Sequence, residues 1–143
     1  MRKPNSTAEF ESARREFLLT QFRQVIAGQS KISAAKAFHA AASAPAPRFW
    51  VSEPRAAAVV GKMLADESCI DSMTEEKREM YREIYRRFIK IRRMCPDMTI
   101  ADIVFDIVNA EAPKSYLSKD RARSIIYKAK KALGFRRNDN MTF

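Results

Sequence analysis

Apolar residues recur along this chain at spacings of three and four, the period of an amphipathic helix rather than of a strand. The first such stripe runs through Phe10, Ala13, Phe17, Leu18, Phe22, Val25 and Ile26. It is preceded by Ser6-Thr7-Ala8-Glu9, a capping-box pattern, and followed by Gly28, which is placed to end the helix in the left-handed conformation. Ser33 is positioned to cap a second, short helix carrying Ala34, Ala37, Phe38 and Ala41. Ala44-Pro45-Ala46-Pro47 breaks that helix, because proline lacks an amide donor and restricts the residue before it. Phe49-Trp50-Val51 then reads as extended. Ser52 caps a third helix with Pro54 in its first turn and Val59, Val60, Met63 and Leu64 inward.

The second half follows the same plan with more charge. Thr74 caps a long helix reaching about Met94, with Met80, Tyr81, Ile84, Tyr85, Phe88 and Ile89 on its apolar face. Cys95-Pro96-Asp97 ends it. Thr99 opens a short helix burying Ile103, Val104, Ile107 and Val108. Residues 113–117 are extended, and Ser118 caps a last helix that buries Ala122, Ile125, Ile126, Ala129 and Leu133 and stops at Gly134. The expected class is all-α. The expected division is a first three-helix unit over 1–72, a second and more basic one over 73–134, and a flexible tail over 135–143.

The two halves align on each other. Within residues 44–62, Ala44, Ala46, Pro47, Ser52, Arg55, Ala56 and Lys62 recur at an offset of 66 as Ala110, Ala112, Pro113, Ser118, Arg121, Ala122 and Lys128. Trp50 faces Tyr116 in this alignment, Val59 faces Ile125, and Val60 faces Ile126. Upstream, Ser33 aligns with Thr99 and Phe38 with Val104. Seven identities in nineteen positions, with matching apolar sites, point to a duplicated unit. Trp50 and Tyr116, two residues before their caps, read as aromatic wedges closing a core. His39, the one histidine, is expected at a core or edge position rather than on a metal.

Charge adds a partner class. The chain carries 27 Lys and Arg against 17 Asp and Glu, a net +10. Residues 1–71 account for +3 of this and residues 72–143 for +7. Such an excess favours a polyanion. Cys69 and Cys95 lie in no metal-binding or redox spacing, so two thiols in a reducing compartment are expected. The N-terminal residues lack the apolar run of a signal peptide, and no apolar stretch is long enough to span a membrane. A cytoplasmic location follows as the expectation, nucleoid-associated if the partner is DNA. Phosphate-binding loops, nucleophile elbows and zinc-protease motifs are absent from the sequence, so no catalytic residue, cofactor or metal is assigned.

Three helices with a capped third helix after a break resemble the helix-turn-helix class, in particular the tandem three-helix units of Myb-like and homeodomain-like DNA-binding proteins. The resemblance is one of architecture and covers most of the chain. It implies that the last helix of a unit enters the major groove while the others brace it. One departure is visible: the connection before each third helix is longer than the usual turn of roughly three to four residues. The last helix carries Lys119, Arg121, Arg123, Ser124, Lys128 and Lys131 outside its apolar stripe, and Arg121, Ser124, Lys128 and Lys131 share one face. These residues, assisted by Arg92, Arg93 and Lys114, form the expected contact with double-stranded DNA. Part of the charge on the long helix is expected to pair internally, through Glu83 with Arg87 and Glu79 with Arg82. The matching helix of the first unit offers only Arg55 and Lys62 among alanines and Gly61. Its small face suits a protein partner or a homodimer, and an adaptor without nucleic-acid binding is the rival reading. RNA binding ranks third, because neither a sheet nor a cleft for stacking bases is apparent.

Overall fold

The computed structural model describes residues 6–29 and 31–132. The described residues form six α-helices: α1 (Ser6–Gly28), α2 (Ala34–Ser43), α3 (Glu53–Ala65), α4 (Glu75–Met94), α5 (Ile100–Val108) and α6 (Lys119–Ala132). A 3-10 turn, Glu67–Ile70, follows α3. The described residues hold no strand beyond an isolated antiparallel bridge between Ala46 and Ala112. Five helix starts follow one local rule. Ser33, Ser52, Thr74, Thr99 and Ser118 each accept the amide N–H of the residue three positions on, at 3.1–3.3 Å. Each such cap satisfies a first-turn donor and stabilises its helix by about 1 kcal/mol. Gly28 departs from expectation: it stays inside α1, and its φ lies outside the left-handed region. Residues 133–143, which include Leu133, Gly134 and the expected tail, lie outside the described residues.

The helices gather around two apolar clusters. One joins Leu18, Leu19 and Phe22 of α1 to Ala37, Phe38 and Ala41 of α2 and to Ile125, Ile126 and Ala129 of α6. Phe22 and Phe38 stack at its centre, 4.7 Å between ring centroids. The other joins Val59, Val60 and Met63 of α3, Ile84 and Phe88 of α4, and Ile103, Val104, Ile107 and Val108 of α5. Helix α3 thus packs on α4 and α5, while α6 packs on α1 and α2.

Two long connections make this packing possible, residues 44–52 before α3 and 109–118 before α6. Nine or ten extended residues reach roughly 30 Å, far more than a tight turn. The connections run against each other. Ala46 and Ala112 exchange backbone hydrogen bonds of 2.9 and 2.8 Å, Phe49 N–H donates to Val108 C=O at 3.0 Å, and Ser115 N–H donates to Ala42 C=O at 3.0 Å. The Ala46 and Ala112 side chains are buried.

Trp50 closes the junction. Its ring is packed by Phe10 and Phe17 of α1, at centroid distances of 6.1 and 6.0 Å, and its indole N–H donates to Ser115 Oγ at 3.0 Å. Phe17 packs against both clusters, so this contact ties α1 to the α3–α4–α5 bundle. Tyr116 stacks on Phe49 at 6.0 Å and is the only non-glycine described residue with positive φ, 57°. Burial, then the nearby Glu83 and Glu79 carboxylates, pushes its phenol up to about 12. The fold therefore favours the neutral phenol. The unfolded chain loses this proton first, so stability is expected to fall as pH rises from about 10 to about 12. An ultraviolet phenolate titration of the native protein against Tyr116→Phe should show one late-titrating group missing from the variant.

Some side chains sit differently from their expected places. Leu64, expected inward, is 43% exposed at the end of α3, and His39 is exposed on α2. Glu79, expected to face Arg82, meets Lys114 Nζ at 3.2 Å instead. The Glu83–Arg87 pair forms as expected, at 2.8 Å. Arg87 also donates to Glu111 C=O and covers the Phe49 ring, which fastens α4 to both connections. At Gly61, in the interior of α3, an added Cβ would meet nothing within 4 Å. Gly61→Ala should therefore raise stability by about 0.5–1 kcal/mol, read as a shift in urea midpoint.

Candidate nucleic-acid interface

Helix α6 owes its position to a narrow apolar stripe. Ile125, Ile126 and Ala129 are at most 3% exposed against α1 and α2, and Ala122 is fully buried on the same stripe. Lys119, Arg121, Arg123, Lys128 and Lys131 project from the rest of the cylinder and are all exposed, with Ser124 partly so. The spacing that placed Arg121, Ser124, Lys128 and Lys131 on one face therefore coincides with the solvent side. Two residues modify that face. Asp120 is exposed beside Lys119 and sets a negative charge at its N-terminal end. Tyr127 is 43% exposed, meets the edge of Phe38 at 5.9 Å and lies under the Arg123 guanidinium at 5.5 Å. Arg123 is thereby held by a cation–π contact rather than left to roam.

The remaining expected residues lie elsewhere. Lys114 belongs to the connection before α6 and is engaged by Glu79, with its ammonium 5.6 Å from the Tyr116 ring centre. Arg92 and Arg93 occupy the last turn of α4, about 24 Å along the helix from the Lys77 end. Arg92 covers the Phe88 ring at 5.4 Å. Arg93 lines a shallow groove of about 600 Å³ with Arg82, Arg86 and Lys90, floored by Met63, Tyr85 and Ile89. Arg86 in that groove is held by Glu83 at 2.7 Å, which leaves it less available to an anion.

Helix α1 adds cations that its sequence did not single out. Arg14 stands close enough to Arg121 for burial and then the neighbouring charge to disfavour its charged form. Lys130 is lowered by burial and by Arg23. Like charges thus face each other across the α1–α6 contact at both ends, and only tertiary packing brings them together.

Among the described residues, no group of three His, Cys, Asp or Glu side chains could hold a metal ion, and no helix is long and apolar enough to cross a membrane. Cys69 and Cys95 are not bonded to each other. Comparison with protein-family models, with curated proteins and with solved structures found no match to this chain.

Proposed function

We propose that this protein binds double-stranded DNA without catalysis, as a transcriptional regulator or a small architectural protein, through the outer face of α6. The carrying observation is the five exposed cations of α6, set opposite its buried stripe on a helix braced by two others. A helix so mounted can lie in a groove with long basic side chains reaching phosphates on either side, and arginine can also read guanine.

The reading includes a duplication in which the two units exchange third helices. In its support, the backbone bonds Phe49 N–H to Val108 C=O and Ser115 N–H to Ala42 C=O are related by an offset of 66 at both ends, and Ala46 bonds its own counterpart Ala112. The same offset relates the caps Ser33 and Thr99, and Ser52 and Ser118. On this reading the unusually long connections are what the exchange requires, and the basic helix of the second unit is braced by α1 and α2.

The test is a salt titration of binding to a labelled random-sequence duplex. If the five cations each meet a phosphate, log affinity should fall against log salt with a slope of about −4 to −5. A protein of this charge that binds no duplex at low salt would end the DNA reading.

An adaptor is the second reading, favoured by two apolar side chains in the α3–α4–α5 bundle: Phe105 is 54% exposed and Leu64 43%. Helices α3 and α5 pack on each other, which places these residues on one bundle. If the protein self-associates there, Phe105→Glu with Leu64→Glu should leave a monomer in analytical ultracentrifugation while duplex binding persists. A monomeric parent protein would remove the homodimer version of this reading.

A further inference from the structure

One cavity concentrates positive charge with little to balance it. It has a volume of about 390 Å³ and lies where α1, the start of α4 and the start of α6 meet. Arg14, Lys77 and Arg121 line it, against the single carboxylate of Glu76. The capping residues Thr74 and Ser118 line it too, so two helix N-termini open on the same space. Lys77 and Arg121 occupy the same place in their helices: each is the residue whose amide is held by the cap, at 3.3 and 3.1 Å. A cation in the first turn opposes the helix dipole, which Glu75 and Glu76 in α4 and Asp120 in α6 complement from the same turns. Arg14 adds a second incongruity, because its Nε is shut off from solvent and has no hydrogen-bond partner among the described residues. Glu11, on the same helix, offsets part of its charge.

We propose that this cavity is a binding site for a phosphate group, held by Arg14, Lys77 and Arg121 and by the open amides of two helix ends. The inference rests on the DNA reading for the source of that group, a backbone phosphate beside the α6 face. A phosphate would remove the mutual repulsion of Arg14 and Arg121, supply an acceptor for Arg14 Nε, and sit at the positive ends of both helices. Arrangements that weaken the empty protein and gain from a ligand are characteristic of sites kept for function.

Trp50 is the sole tryptophan and lines the cavity, so its fluorescence reports occupancy directly. The full chain should show a saturable fluorescence change and a raised thermal midpoint with inorganic phosphate, against chloride at equal ionic strength. Arg14→Gln should lose both responses while remaining folded by circular dichroism, the relieved repulsion by Arg121 offsetting the lost contact with the Phe10 ring at 5.6 Å. In duplex titrations the same variant should lower the magnitude of the salt slope by about 1, with roughly eightfold weaker binding at 0.1 M salt. Arg121→Gln, at an exposed position, provides a second variant with the same expected losses. Lys90→Gln, at the far end of α4, should leave the phosphate response unchanged. If phosphate acts but no duplex binds, the site stands with free phosphate as its ligand, and the DNA reading fails. If duplex binds and both arginine variants keep the parent's slope and phosphate response, the site is overturned while the DNA reading survives.

Discussion

Replacing Trp50 by alanine should cost about 3–5 kcal/mol, the largest loss expected from any single change at the junction. The indole is 7% exposed, packs on two phenylalanines of α1 and bonds Ser115 across the paired connections. Its removal opens a cavity between the two clusters. It also strands the Ser115 hydroxyl, whose residue is 2% exposed, and this adds to the cost. Trp50→Phe separates the two contributions: it keeps most of the ring contact and loses only the donor, for about 1–2 kcal/mol. Urea unfolding followed by circular dichroism gives both values. Because this contact couples α1 to the other bundle, Trp50→Ala should also split one transition into two. A loss below about 1 kcal/mol would mean that the clusters are held together elsewhere.

The second large effect concerns binding. Arg121→Ala, Lys128→Ala and Lys131→Ala together remove three of the five exposed cations of α6. Each phosphate contact contributes close to a factor of eight at 0.1 M salt through counterion release, so the triple variant should bind duplex about 10²–10³-fold more weakly. The salt slope should shrink in magnitude by about 2.7. All three side chains are exposed, so the melting temperature should hardly move. Unchanged affinity in a folded triple variant would reject the α6 face as the contact surface.

Local features of this fold could be read from the chain, because their causes lie within one helical turn. A serine or threonine holding the amide three residues on needs no tertiary information, and five such caps stand where the sequence placed them. The buried stripe of α6 follows from its 3.6-residue period in the same way. What covers a stripe is a different matter. The apolar face of α6 requires a neighbour, but nothing in Ala122, Ile125, Ile126 and Ala129 selects α1 and α2 over α4 and α5. The length of the connections is the one feature in the sequence that permits so distant a pairing. Arg14 is inconspicuous in sequence for a similar reason: beside Glu11 it looks like an ordinary helix-surface charge, and the residue that changes its character, Arg121, lies in the last helix. Leu64 shows the opposite failure. It continues the α3 stripe in sequence, but the helix ends one residue later, where the bundle no longer covers it.

The packing of α6 on α1 and α2 also bears on how the chain is made. Helix α2 ends at Ser43, and the helix that covers it begins at Lys119. At about 5–20 residues per second, a ribosome takes several seconds to span that interval. Throughout that time Phe22, Phe38 and their neighbours have no completed bundle to join, so α1 and α2 wait as a nascent, apolar-faced pair. Pairings so distant along the chain also slow refolding relative to helical proteins built from local contacts. This protein should therefore fold late and slowly for its class, with its earliest-made helices the ones most in need of a chaperone.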